Sequence, residues 1–343
     1  MALTIWSRAR TVVLFAAAVC SAMSCNNSQT SSPKAPATFS VEAPKKRAGF
    51  DSVAVFLPLD ARVEPTWVTL RDELSPELDV IPVPISQNST TAEFARAFAE
   101  HSPKCVVLFD NKTTLLYARY QASLPEQSFP PAVILLSSFA TLYTNVRNST
   151  GIAYEVSLLL SATRLRSFVT TPIERVGVIH RHGFQRYVRE QASLAKSEEI
   201  EVVAVEVPND ASARDVADAL SKLAKRVDAL WVLNDNALLT PEHIRDGWLP
   251  ALDERPLPTI VGIPGLVTKD VRFGTFAVIP DLGALGVQAA TLIYDLAHDG
   301  WQLPDGVGIE EPLSVRTVLD VESARAHFGF KEGTLGEITE VAK

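Results

Sequence analysis

Val227-Asp228-Ala229-Leu230-Trp231-Val232-Leu233-Asn234-Asp235-Asn236 holds an apolar run that stops on three polar residues. The run is too short for a helix. Ala229–Leu233 therefore reads as a strand buried on both faces, and the polar triplet marks where the chain leaves the sheet. Just upstream, Ser212-x-x-Asp215 is a capping-box pattern, and Val216, Ala219, Leu220 and Leu223 follow at helical spacing. Further upstream lie a strand at Glu201–Val207, a helix at Phe184–Ala195 and a strand at Arg175–Ile179. Before these, Leu158, Leu159, Ala162 and Leu165 form a helical stripe that stops ahead of Pro172. Downstream, Thr259–Ile263 and Gly274–Ile279 are predicted strands. Leu282–His298 is a predicted helix with Leu285, Ala289, Leu292, Ile293 and Leu296 on its inner side.

The first half repeats this grammar. Val53–Pro58, Val80–Ile85, Cys105–Phe109 and Ala132–Leu136 are apolar strands. Between the first two, Thr66–Leu74 fits a helix, and after the second Thr90-x-x-Glu93 opens another with Phe94, Ala95 and Phe98. Continuous apolar strands separated by amphipathic helices indicate parallel sheets covered on both faces. The fold class is thus α/β, with two Rossmann-like lobes. The expected boundaries are 49–150 for the first lobe, joined by part of 282–305, and 151–281 for the second, joined by 306–330. Residues 331–343 would form a tail. Ligands of such sheets bind beyond the carboxyl ends of the strands, so a site facing both lobes is expected.

The N-terminal segment has its own reading. Arg8 and Arg10 precede an apolar core, Val12–Val19, and the small-residue tract Ser21-Ala22-Met23-Ser24 leads to Cys25. A basic head, a short apolar core and a small-residue cleavage point make a secretory signal over 1–24. The core falls short of the roughly 20 apolar residues that span a bilayer. Cys25 would carry lipid as the first mature residue, anchoring the chain to a bacterial membrane in the cell envelope, on the periplasmic side. Ala22 stands where lipoprotein signals usually have Leu, and secretion without lipid is the alternative. Removing the first 24 of 343 residues leaves 319, enough for two lobes. Residues 25–48 are polar, Pro-containing and without periodicity, which suits a flexible tether. In the expected mature chain Cys105 is the one further cysteine, inside an apolar run, and reads as a small buried hydrophobe. A net charge of −8 argues against a nucleic-acid partner.

Several ordered pieces of the second half resemble one known family. They are Thr150-Gly151, Pro172-Ile173-Glu174-Arg175-Val176-Gly177-Val178, the Val227–Asn236 run, Pro280-Asp281 with Ala284-Leu285-Gly286 and Gln288-Ala289-Ala290, and Glu311-Pro312. Val318-Leu319-Asp320-Val321 with Ala324 and Phe328-Gly329 completes the series. From Thr150 to Phe330 the chain resembles the ABC-type substrate-binding lipoproteins of the periplasmic-binding-protein type 1 architecture, in the branch associated with aromatic amino acids. The resemblance implies a two-lobed receptor that hands a small solute to a membrane permease, without catalysis and without a cofactor. Three cleft positions depart from the family. Ser137-Ser138-Phe139 replaces its Asp-Pro, Val278-Ile279 replaces its Tyr-Gly, and His180–Gln185 replaces its Asn-Pro with a downstream Ser.

The candidate ligand-binding residues lie at strand ends. Asp235 and Asn236 suit an amine or hydroxyl of a solute, although the same residue types make turns and caps. His180, Arg181, His182, Gln185 and Arg186 form a basic loop, and Arg pairs well with carboxylates. A solvated helix start explains that loop equally. Ser137, Ser138 and Phe139 offer hydroxyls and a ring, and Asn111 opens a helix whose N–H groups would face a ligand. Asp281 is a further candidate, with helix capping as its competing role. His180 and His182 lack a third ligand at metal spacing, so no metal is expected. Neither a Gly-x-Ser-x-Gly elbow nor a Walker loop occurs, which leaves an envelope hydrolase little support. The reading is a solute-binding lipoprotein of an ABC uptake system, taking a small polar ligand, with a carboxylate-bearing solute as one candidate. The alternative keeps the fold as an envelope sensor or partner-binding lipoprotein with an altered cleft.

Overall fold

The computed structural model describes residues 41, 47, 49–60, 63–142, 145–268 and 270–342. The expected signal, Cys25 and most of the tether lie outside the described residues. Among these residues the chain divides into two compact units. One runs to Ser157 and adds Ile279–Arg316; the other is Leu158–Val278 with the chain from Thr317 onward.

The first unit is built on six strands: β1 (Ser52–Pro58), β2 (Asp79–Ile85), β3 (Cys105–Phe109), β4 (Ala132–Leu135), β5 (Ser149–Ile152) and β11 (Ile309–Glu310), in the order β11-β5-β4-β3-β1-β2. Every pairing is parallel. Successive side chains of β1 serve opposite faces. Val53, Val55 and Leu57 pack with α1 (Glu64–Leu74) and α8 (Leu282–His298), while Ala54 and Phe56 pack with α2 (Ala92–His101) and α3 (Asp110–Ser123). That two-sided burial is why these strands read as unbroken apolar runs. Helix α8 lies close on α1: a Cβ on Gly286 would sit 2.7 Å from the Thr66 carbonyl oxygen. Cys105 is a free, buried thiol, and burial pushes its pKa up.

The second unit carries seven strands in the order β13-β12-β10-β9-β8-β6-β7. β6 (Arg175–Arg181), β7 (Glu201–Val207), β8 (Ala229–Trp231), β9 (Thr259–Val261) and β10 (Phe276–Pro280) are parallel. β12 (Val315–Leu319) runs against β10, since Asp281 N–H reaches Ser314 O and Asp320 N–H reaches Thr275 O. β13 (Glu340–Val341) pairs parallel to β12. On one face α6 (Ala213–Leu223) buries Val216, Leu220 and Leu223 against Ile179 and Leu230. On the other, Phe168 of α4 (Leu158–Phe168) lies 5.6 Å from Phe276, and Tyr187 of α5 (Gln185–Ala195) lies 6.0 Å from Trp231. The expected Ser212 capping box is formed, with Ser212 Oγ accepting from Asp215 N–H and the Asp215 carboxylate accepting from Ser212 N–H.

The elements differ from the sequence reading in several places, and the expected tail at 331–343 instead supplies β13 to the second sheet. Thr150-Gly151, taken as the opening of the second lobe, belongs to β5 in the first sheet, where Gly151 pairs with Ile134 and Ile309. A Cβ at Gly151 would collide with the Ile134 carbonyl, so glycine is what lets this strand close on β4. Residues 309–310 pair there too, ahead of the change of unit after Arg316. The strand expected at Ala229–Leu233 ends at Trp231, although Val232 still donates to Ile260 O. No helix among the described residues is long and apolar enough to cross a membrane.

Candidate functional site

In the first unit the carboxyl ends of the neighbouring strands β3 and β4 gather a polar cluster. β3 passes directly into α3, and the turn is made at Asp110 with φ +71°. Leu136 and Phe139, just past β4, also adopt positive φ, at +53° and +57°. Non-glycine residues avoid this region, and such strain gathers where a fold holds a functional geometry. Asp110 caps its own helix by accepting from Thr113 N–H at 2.8 Å. Burial pushes the Asp110 carboxyl up from its ordinary value, against the Thr113 hydrogen bonds and the Lys112 charge.

The candidates Asn111, Ser137, Ser138 and Phe139 meet here. Asn111 Nδ2 donates to Ser138 O at 3.1 Å, and Ser138 N–H returns a bond to Asn111 Oδ1 at 2.7 Å. Ser137 is fully buried, its hydroxyl 2.8 Å from Thr114 Oγ1. Phe139 is buried, and its N–H donates to Glu155 Oε2 at 2.6 Å. Glu155 and Thr114 carry no mark in the sequence that would have singled them out. Asp281, at the head of α8, accepts from Gly283 and Ala284 N–H, so its carboxylate serves as the helix cap.

In the second unit β6 and β8 are neighbours, and their carboxyl ends bring Arg181 and Asp235 together. Arg181 Nε and Nη2 bind the two Asp235 oxygens at 2.6 and 2.7 Å. This forked geometry is the strong form of a charge-assisted pair. Asp235 is only 4% exposed and also accepts from Ala237 N–H. The bond to Asp235 raises the Arg181 pKa, and Arg181 also lies over the Phe184 ring. Asn236 beside the pair is exposed. Gly262, after β9, has no side chain to collide with the Asn234 amide, which would lie 2.6 Å from a Cβ there.

The basic loop splits. His180 is buried, with Nδ1 at 3.0 Å from Arg181 O. His182 and Gln185 instead turn to Glu206 on β7, at 3.1 and 3.3 Å, in an exposed position. Their side-chain contacts run to Glu206, while Asp235 is held by Arg181. No group of three or more His, Cys, Asp or Glu among the described residues could hold a metal ion.

No protein-family model and no curated protein matches this chain. Solved structures do. A ligand-free, open substrate-binding protein with adhesive properties from Clostridium difficile aligns over 86% of this chain and 99% of its own, with a TM-score of 0.61 and 13% identity. The fold is that of the type 1 periplasmic binding proteins. A conserved domain protein from Vibrio cholerae aligns over 85% and 99% of the two chains, with a TM-score of 0.51 and 18% identity. An ABC domain in complex with L-Trp from Streptococcus pneumoniae covers 85% of this chain and all of its own, with a TM-score of 0.50 and 15% identity. At these identities the type 1 fold is what the chains share, and each strand-end side chain has to be read from this chain itself.

Proposed function

We propose that this chain is the solute-binding lipoprotein of an ABC-type uptake system, anchored in the cell envelope through lipid on Cys25 and delivering a small polar solute to a membrane permease. The observation that carries the reading is the placement of polar side chains at the carboxyl ends of parallel strands in a type 1 fold. In such sheets this is where ligands bind. Asn111, Ser138 and Phe139 stand at strand ends of the first unit, and Arg181, Asp235 and Asn236 at strand ends of the second. The protein binds and releases; it has no catalytic role. A carboxylate on the solute would compete with Asp235 for the Arg181 fork. Aromatic amino acids are the first class to try, since the Streptococcus pneumoniae neighbour was solved with L-Trp.

A thermal-shift screen against amino acids, small carboxylates, nucleosides and sugars tests this. A solute at 100 times its Kd adds about 2.7 kcal/mol to the folded state, or roughly 5–10 °C in Tm. One class should give a saturable rise that Asp235→Ala and Asn111→Ala reduce. Silence across the set, with the protein verified as folded, would defeat the reading.

One observation favours a second reading. Asp235 is satisfied by Arg181, and Asn111 and Ser138 satisfy each other. Polar groups paired among themselves suit an envelope lipoprotein that senses or contacts a partner through this fold. Fatty-acid labelling that is lost in Cys25→Ser would support the anchor under either reading.

A further inference from the structure

The second unit has a cavity at the other end of its sheet. It lies at the amino ends of β9 and β10, away from Asp235 and Arg181, and has a volume of about 530 Å³. That is within the roughly 300–1,000 Å³ typical of small-molecule sites. Leu249 and Leu252 of α7 (Leu249–Glu254), with Leu257, Phe273 and Phe328, form its apolar part. Its charged lining is mainly acidic, with Asp253, Asp320 and Glu322 against Arg272 and His327.

Asp320 is the informative residue. It is 8% exposed and lines the cavity. Its backbone is fixed from both sides, with its N–H on Thr275 O and its carbonyl accepting from Ala324 N–H. Oδ1 caps the short helix α9 (Val321–Ser323) by accepting from Ser323 N–H at 2.9 Å. Oδ2 makes no hydrogen bond among the described residues. The neighbouring polar floor is satisfied, since Thr275 Oγ1 accepts from Thr259 N–H and Thr259 Oγ1 donates to Leu257 O. Asp320 thus keeps one carboxylate oxygen open to the cavity, next to apolar side chains, where it can accept from a cationic donor.

We propose that this cavity is a second ligand site, taking a small amphiphilic amine whose ammonium group binds Asp320 Oδ2 and whose apolar body packs on Leu257, Phe273 and Phe328. The site is independent of the strand-end cluster around Asp235. Calorimetric titration of the full chain at pH 7 with 4-phenylbutylamine tests it, with 4-phenylbutyrate as the control of opposite charge. Saturable amine binding is expected, with the carboxylate at least about tenfold weaker. Asp320→Asn keeps a capping oxygen and removes the charge, and should weaken the amine at least about tenfold. Ala326→Trp narrows the same cavity without touching the charge and should do likewise. Asp235→Ala should leave amine binding unchanged. No saturable binding, equal affinity for the carboxylate, or wild-type affinity in either Asp320→Asn or Ala326→Trp would each overturn the proposal. So would loss of amine binding in Asp235→Ala.

Discussion

At Asp235 both carboxylate oxygens are taken, and the partner guanidinium is itself half-buried. Asp235→Ala leaves Arg181 without its counter-charge and should cost about 1–3 kcal/mol in urea unfolding. Asp228 behaves differently. Burial works to raise its carboxyl, but the N–H groups of Arg175 and Glu174 and the Arg175 guanidinium outweigh it, and the net shift is downward. A lowered folded value means that the ionised group favours folding above the unfolded pKa of about 3.9. The contribution is lost as pH falls through the folded value. Asp110, raised by burial, has the opposite sign: its protonation favours the folded state as pH falls through its raised value. Asp228→Asn should therefore flatten the decline in stability below about pH 4, and Asp110→Asn should remove a gain that sets in above about pH 4 as the pH falls, so that its effect is confined to the range just above that value. Urea unfolding between pH 3 and pH 7 reads both.

These residues also show how far the sequence could be read. Asp235 was placed at a strand end by the apolar run before it, and that placement needs only local pattern. Its pairing with Arg181 spans 54 positions and depends on β6 lying beside β8, which no periodicity encodes. Glu155 is bound to the Phe139 N–H by a turn whose positive φ values fall on residues without a glycine signature.

Among the elements, α6 was legible because cap, spacing and burial agree. Its N-terminus rests on Ser212, and Ser212→Ala should cost about 1 kcal/mol by thermal or urea unfolding. Helix α8 gives the contrary case. Gly→Ala inside a helix ordinarily gains up to about 1 kcal/mol. At Gly286 the added methyl meets the α1 backbone, and Gly286→Ala should instead lose about 1–3 kcal/mol. A stabilised Gly286→Ala variant would mean that α1 and α8 can separate freely. β5 and β11 escaped the sequence reading for a physical reason. They have four and two residues, and a sheet edge closed by Gly151 shows neither alternation nor a long apolar run.

For the whole molecule the main fact is connectivity. The described chain changes unit after Ser157, Val278 and Arg316, so neither unit is one continuous segment. A fragment covering 49–157 lacks α8, whose Leu285, Ala289, Ile293 and Leu296 cover the same core as Trp67 and Leu70. That fragment should show no cooperative unfolding transition and should bind a hydrophobic dye. Joining 279–316 to it through a flexible linker should restore the transition. The alternating strands and helices made two α/β lobes readable, but the order in which segments return to each sheet is set by long-range pairing.

Gly151 and the paired residues 309–310 therefore bear on timing at the ribosome. The first sheet cannot gain its last strand until residue 310 has left the exit tunnel, and the second waits for β12 and β13 near the end of translation. Neither sheet is therefore complete until most of the chain has been made, a delay that would suit the export that the proposed envelope role requires.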